Sequence, residues 1–428
     1  MQKPDDLVPP LLAWFARSAR DLPWRRTRDP YAIWVSEIML QQTQVKTVIP
    51  YWKRWMKELP TIQALAEART EKVLKLWEGL GYYTRARNLH QAARMIVDQQ
   101  GGRFPENFAE VRALPGIGRY TAGAICSIAF NQPVPIVDGN VIRVLTRVFG
   151  MRGHPRHGRT SRRLWTLAEQ LVSSAAQVAP RCPGHSLPIG TAASGSRDRS
   201  KTRDRTCSSL NQALMELGAT VCTPRQPRCS ECPLRAHCFA YLESQIDRFP
   251  NMGTRPATVP RRFVAFVIRN GARLLVRQRP EGVVNARFWE FPNLEITTAE
   301  TEPASAAARL FGLRLRSFRP LCQIRHSITR YRITMDVFEI TARDFCCRNG
   351  AGPTGRPDAR AGRIGGGNSP GADTVAQNHS PRAAFSELGQ MCWAGVSELK
   401  KLPLAAAHRE VLNALLRGRR EREGIGEA

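Results

Sequence analysis

The sequence predicts a multi-domain protein, an all-α domain followed by an α+β domain, and three observations carry that expectation. From Trp14 to about Leu171, apolar residues recur at helical spacing between short Gly and Pro breaks, with no run of alternating strand pattern. Four cysteines then crowd between Cys222 and Cys238. Beyond a Pro-containing stretch near Phe249 to Pro260, the runs Phe263–Ile268 and Arg273–Arg279 flank Asn270-Gly271, a hairpin signal.

In chain order, Asp29-Pro30 supplies N-cap and first-turn chemistry for a helix through Ile33, Glu37 and Leu40 toward Gln44. Trp77 to Tyr83 reads as a glycine-punctuated turn, and Thr84 as the cap of a helix whose Leu89, Ala92, Ala93 and Ile96 share one face. Leu114 to Gly118 sits between two helical patterns. Asp138 ends the apolar run Val134–Val137 and caps a helix over Asn140–Phe149. From Ala176 to Ser209, Ser, Arg, Pro and Gly dominate and no apolar period survives, so an insert is expected over 176–209. The helical pattern resumes at Asn211 and runs into the cysteine cluster. We therefore expect a helical domain over 1–245, a linker over 246–260, a mixed domain over 261–418 with a second Gly- and Arg-rich insert at 347–381, and a tail at 419–428.

A chain of 428 residues with 42% hydrophobic content is enough for two or three globular domains. Its 64 Lys and Arg against 36 Asp and Glu leave a formal charge of +28, which points to a polyanionic partner and first to nucleic acid. The plain alternative is a soluble Arg-rich protein, and composition does not decide between them. Met1 to Pro10 carries two acids and no apolar core, and the run near Ala122–Phe130 is too short to cross a bilayer. No signal peptide, membrane span or membrane partner is expected, and a cytoplasmic, nucleoid-associated location is. Eleven cysteines, seven of them scattered, suit a reducing compartment and a metal site rather than a disulfide framework.

Cys222, Cys229, Cys232 and Cys238 follow C-x6-C-x2-C-x5-C, four thiolates in one compact loop that suit zinc or an iron-sulfur cluster. Structural zinc usually takes two close pairs, whereas only one exists here, so a 4Fe-4S cluster fits better. Arg225 and Arg228 on the same loop would face phosphate. Gly116 and Gly118 are free to leave consecutive N–H groups pointing outward at a helix start, a nest for a phosphate; an ordinary glycine turn is the bland alternative. Glu37 lies among Trp34, Val35, Ile38, Met39 and Leu40, where burial disfavours its charged form and would let it act as an acid, although a lone helical Glu is more often solvated or paired. Asp138, at a helix N-terminus, should stay ionised, whether as a structural cap or as more. One neutral acid and one anion are what cleavage of a glycosidic bond needs.

The stretches WVSEIMLQQTQV (34–45), GLGYY (79–83), LPGIGRYTA (114–122), VDGNV (137–141) and NQALMELGA (211–219), with the cysteines, resemble the MutY family of adenine DNA glycosylases. The resemblance covers nearly all of both domains outside the two inserts. It implies a helix-hairpin-helix glycosylase domain carrying an iron-sulfur loop, joined to an α+β MutT-like (Nudix-like) domain. The implied reaction is removal of adenine opposite 8-oxoguanine or G in double-stranded DNA, by a monomer. It makes Glu37 the acid that protonates the adenine ring and Asp138 the anion that stabilises the sugar left behind, with Tyr120 and Asn140 at further active-site positions. Gln42 would fill the base stack, Tyr82 would wedge beside the lesion, and Arg25 with Gln212 would contact the extruded adenine. The related endonuclease III group has a nucleophilic Lys where this chain has Tyr120, so a monofunctional glycosylase is expected. Arg119, beside it, is always protonated and cannot replace that amine.

In the second domain, FWEFP (288–292) is similar to the MutT-like strand and turn. The stretch Ala304–Leu310 carries none of the acids that bind metal in nucleotide hydrolases, so lesion recognition is the implied role. HSITRY (326–331) resembles the loop that presents Phe-Ser-His to 8-oxoguanine. Thr329 stands at the serine's place and Arg330 departs from the histidine. The family has a short connection where 176–209 lies, so that stretch is either a surface insertion or the trace of a disturbed reading frame.

Overall fold

The computed structural model describes residues 3–178, 205–254, 257–283, 285–297, 302–312, 314–315, 317–328, 330–341, 345–346 and 390–423. These residues form two compact units, 1–255 and 256–428.

The first unit is helical. Helices α1 (Val8–Ser18), α2 (Pro30–Leu40), α3 (Val45–Glu58), α4 (Ile62–Glu67), α5 (Thr70–Trp77), α6 (Thr84–Gln100), α7 (Phe108–Ala113), α8 (Arg119–Phe130), α9 (Gly139–Val148), α10 (Gly158–Gln177), α11 (Thr206–Thr220) and α12 (Phe239–Leu242) follow one another. Asp29 caps α2 as the sequence predicts, accepting from the N–H of Tyr31 at 3.0 Å and of Ala32 at 3.3 Å. The helix ends at Leu40, four residues earlier than expected, and every residue from Tyr31 to Met39 is buried. A helix apolar on nearly all sides belongs in the middle of its unit, and α2 has α3 and α8 as neighbours. On α6, Leu89, Ala92, Ala93 and Ile96 are all buried, but Thr84 is the first helical residue rather than the cap. Tyr83 holds the cap position in a helical conformation and makes no side-chain cap bond. The main core gathers α1, α8, α9, α10 and α11 around Leu11, Ile128, Val144, Leu171 and Leu214.

The limits of the first insert are also corrected. Helix α10 runs on through Ala176 and Gln177, and α11 begins at Thr206 with Cys207 and Ser208 buried. Helical burial, not composition, sets those ends. Residues 179–204 and 347–389 lie outside the described residues.

The second unit has strands β1 (Val259–Asn270), β2 (Arg273–Gln278), β3 (Trp289–Glu290), β4 (Asn293–Ile296), helix α13 (Pro303–Phe311), β5 (Arg314–Leu315), β6 (Arg319–Ile328), β7 (Tyr331–Thr341), β8 (Phe345–Cys346), β9 (Met391–Gly395), α14 (Val396–Lys401) and α15 (Ala406–Glu423). One sheet runs β3-β2-β1-β7-β6, with β4 also on β1 and β9 on β2; β5 and β8 pair separately. The long β1–β7 pair is parallel, with Val259 opposite Tyr331 and Ala265 opposite Val337. The expected hairpin forms, closed by Gly271-Ala272 with Asn270 opposite Arg273 and Gly271 at φ 58°. Alternation along β1 sends Val264, Phe266 and Ile268 to the α13 face and Ala265 and Val267 to the face shared with Val411, Leu412 and Leu415.

Candidate active site

A cleft of about 770 Å³ opens in the first unit between the start of the chain, α2, α8, α9 and α11. Glu37, Asp138, Tyr120, Asn140, Arg25, Gln42 and Gln212 all line it, so the structure brings together residues that lie as far apart in the sequence as Arg25 and Gln212.

Glu37 is 5% exposed. Burial pushes its carboxyl up to about 7, against an opposing hydrogen bond from the Tyr120 hydroxyl at 2.9 Å. The charge of Asp138 raises it further and that of Arg25 lowers it. The Tyr120 phenol is itself driven well above its ordinary value, by burial first and then by the neighbouring carboxylates. It is a neutral donor at any working pH.

Asp138 caps α9 as expected. One oxygen accepts from Val141 N–H at 2.7 Å and the other from Asn140 Nδ2 at 2.9 Å. Its carboxyl nevertheless lies above the ordinary value, because burial outweighs those bonds and the charge of Arg143. The helix terminus therefore offsets a desolvation cost rather than lowering the pKa outright. Arg143 continues the chain of bonds: it donates to Asn140 Oδ1 at 2.8 Å, to the Gly218 carbonyl at 2.7 Å and, through Nε, to the Cys222 carbonyl at 2.7 Å. Only glycine fits at 218, since a Cβ there would stand 2.6 Å from that of Asn140.

Arg25 meets a partner the sequence reading did not name. Glu216, 1% exposed on α11, takes Arg20 at 2.6 and 2.8 Å and Arg25 at 2.9 Å. Burial alone would raise its carboxyl, but the Arg20 bonds and the Arg25 charge hold it at about 2. The signal was present: Glu216 is a lone acid one helical turn beyond Gln212 in an apolar helix. Gln212 itself donates to Ser208 Oγ at 3.1 Å.

Gln42 and Tyr82 both adopt left-handed backbone, at φ 58° and 47°, and Tyr82 is 43% exposed. The hairpin differs from expectation in one respect. Gly116 uses positive φ, 77°, whereas Gly118 is extended, φ −90° and ψ 177°, and serves as the N-cap of α8 with no side-chain cap bond. The first amides of α8 thus have no cap from the Gly118 side. Arg119 stacks 3.9 Å from the centre of the Trp165 ring.

Cys222, Cys229, Cys232 and Cys238 line a common pocket beside α9. Among the described residues, no three His, Cys, Asp or Glu donors converge as a single ion requires. Burial pushes Cys232 up to about 12 and raises Cys229 and Cys238, so an added cation would be needed to hold them as thiolates. Arg147, 3% exposed, donates to Cys222 Sγ at 3.3 Å and to the Thr223 carbonyl at 2.8 Å. Arg228 is not free for phosphate, being paired with Glu231 and bonded to the Thr220 carbonyl; Arg225 is exposed.

In the second unit, α13 carries no acid, as the sequence predicts. Glu290 of FWEFP is buried with Arg277 at 2.7 Å and Arg279 at 2.6 Å. Thr329 lies outside the described residues. Arg330 is exposed and stacks 5.3 Å from the Tyr331 ring. Among the described residues, no helix is long and apolar enough to cross a membrane.

Residues 35–170 match the HhH-GPD superfamily of base excision DNA repair proteins, and residues 264–414 match the NUDIX domain. The adenine DNA glycosylase of Mus musculus is 35% identical over 390 residues, 77% of this chain and 69% of the mouse protein. The chain belongs to the adenine DNA glycosylase family. The family's enzyme from Rattus norvegicus is 39% identical over 338 residues, 67% of this chain. The chain spans 60% of the length of that rat protein and 65% of the adenine DNA glycosylase of Homo sapiens. A solved thermostable thymine-DNA glycosylase is 28% identical, with a TM-score of 0.46, covering 56% of this chain and 97% of its own. By the two family matches, its first unit is a helix-hairpin-helix domain and its second a Nudix-like domain.

Proposed function

We propose that the chain removes adenine paired with 8-oxoguanine, or with G, from double-stranded DNA as a monofunctional glycosylase. The observation that carries this reading is the buried Glu37, held near neutrality at about 7 and hydrogen-bonded by Tyr120, opposite the N-cap carboxylate Asp138. Glu37 delivers its proton to a ring nitrogen of the extruded adenine. The C1′–N9 bond then breaks with its electron pair going to the base, and positive charge develops on the sugar. Asp138, held by Asn140 and the α9 amides, faces that charge. Water adds to C1′ and its proton returns to the solvent or to Glu37, leaving an abasic site. Tyr120 supplies a hydroxyl and no amine, so the strand is not cut.

The four cysteines fit a 4Fe-4S cluster: all four line one pocket, and Arg147 donates to the Cys222 sulfur. Such a cluster, when bound, braces the loop that Arg143 ties to Asn140. We read residues 1–245 as the glycosylase domain, 246–260 as a linker and 261–418 as a lesion-reading domain in which Thr329 meets 8-oxoguanine, the whole acting as a monomer in the cytoplasm, on the nucleoid.

A single-turnover assay on duplexes holding A opposite 8-oxoguanine, G or T, developed with and without alkali, tests this. Cleavage only after alkali, fastest for the lesion pair, is expected. Binding without base release would make the chain a non-catalytic mismatch binder, and cleavage without alkali would overturn the Tyr120 argument.

A further inference from the structure

Arg85 is a buried cation of the helical unit. It sits in the first turn of α6, is 9% exposed and has no carboxylate partner in any ion pair found there. Its guanidinium instead collects carbonyl oxygens from two separate segments. Nη1 donates to the carbonyls of Ile38 at 2.8 Å, Met39 at 3.0 Å and Gln41 at 2.6 Å, at the C-terminal end of α2. Nη2 donates to Leu80 and Gly81, both at 3.1 Å, in the glycine turn after α5, and approaches Thr43 Oγ1 at 3.4 Å. The same group lies 5.2 Å from the Trp77 ring and 5.7 Å from the Tyr82 ring.

What these segments have in common is the backbone strain that follows them. A helix usually ends on glycine in the left-handed region, since any Cβ there costs about 1 kcal/mol. Here the residue after the α2 cap is Gln42, at φ 58°, and Tyr82 at φ 47° follows Gly81. A cation at a helix C-terminus satisfies the orphaned carbonyls and compensates such strain. One guanidinium does so for both segments at once, so neither can move without lengthening bonds to the other.

We infer that Arg85 is a positioning residue for base extrusion, a clamp that fixes the spacing between Gln42 and Tyr82 so that both enter the duplex at one base step. This rests on the proposed function, in which Gln42 and Tyr82 are the residues that enter the stack. An intercalating pair works only at matched height, and a displacement of 1 Å can cost about a hundredfold in rate.

Two measurements test it on the full chain. In the first, 2-aminopurine placed next to the target adenine reports unstacking in single-turnover mixing with A opposite 8-oxoguanine. Arg85→Lys keeps the charge but cannot span both segments. It should lower the extrusion signal and the base-release rate by about tenfold or more, with affinity for undamaged duplex within about twofold. In the Arg85→Lys background, Gln42→Ala should cost little more, because the clamp that placed Gln42 is gone; fully additive losses overturn the clamp. The second measurement needs no variant and no substrate. In the unmodified protein, backbone amides at 40–44 and 79–83 should lose hydrogen-exchange protection in parallel as denaturant is added, and separate opening of the two segments overturns the inference. If the unmodified protein shows no extrusion or base release at all, the proposed function fails, and parallel exchange still decides whether the clamp exists.

Discussion

Glu37 in the helical unit and Glu290 in the Nudix-like unit are buried to nearly the same depth, 5% and 2% exposed, yet their environments give them opposite chemistry. Glu37 faces a neutral phenol and another carboxylate, and burial drives it up to about 7. Glu290 is also pushed upward by burial, but His408, Arg277 and Arg279 outweigh that and hold it below its ordinary value. Depth sets the cost of a charge, and partners decide whether it is carried. A carboxyl without a guanidinium partner becomes an acid store. One held between two arginines becomes a fixed anion, suited to joining β2 to β3 rather than to chemistry.

The largest effect expected from breaking this contrast is on catalysis. Glu37→Gln removes the proton but keeps the shape, and base release on A opposite 8-oxoguanine should fall by about 10³-fold or more, with the circular dichroism spectrum unchanged. Glu290→Gln removes the buried anion that the half-buried Arg277 and Arg279 share. It should destabilise the second unit by about 3 to 5 kcal/mol, read as a lowered denaturant midpoint.

Glu37 is raised from near 4.5 to about 7, so its contribution to stability is fully present below about 4.5 and is lost as pH rises through about 7. Glu37→Gln should therefore match the parent in stability at pH 4 and exceed it by about 3 kcal/mol at pH 8, where the parent must bury an anion. Base release by the parent should fall about tenfold per unit of pH above 7, since only the acid form reacts. Glu216→Gln acts on Glu37 through Arg25. Arg25, no longer neutralised, would draw Glu37 downward and move that fall to lower pH by about one unit. The smallest effect is expected at the hairpin: Gly116→Ala adds a Cβ 2.7 Å from that of Asn88 at φ 77°, and should cost about 1 to 2 kcal/mol while weakening duplex binding.

Much of this was legible in the chain. The Asp29 and Asp138 caps, the apolar face of α6 and the burial of Glu37 are local consequences of neighbours within one or two turns. Thr84 was misread because its predecessor, Tyr83, is already helical, which spacing does not show. The ends of the first insert were misplaced because composition changes before the helical period of α10 stops, and before α11 buries Cys207 and Ser208. Glu216, Arg85, Arg143 and Arg147 escaped for a different reason. Each acts on partners tens of residues away, as Arg20 and Glu216 are 196 apart, and no local pattern encodes such a pairing. The raised pKa of Asp138 belongs to the same class, because it depends on how deeply the finished cleft encloses the carboxyl.

The position of α11, packed against α1, α8, α9 and α10, also governs the order in which the protein can be made. Glu216 emerges from the ribosome 196 residues after Arg20. At common translation speeds that interval is on the order of 10 to 40 seconds. During it the nascent chain presents the apolar side of α1 and two guanidinium groups with no counter-ion. The helix that finally neutralises them is also the one that seals the core, so assembly of the pocket and closure of the unit are a single event that waits until half of the chain has been made.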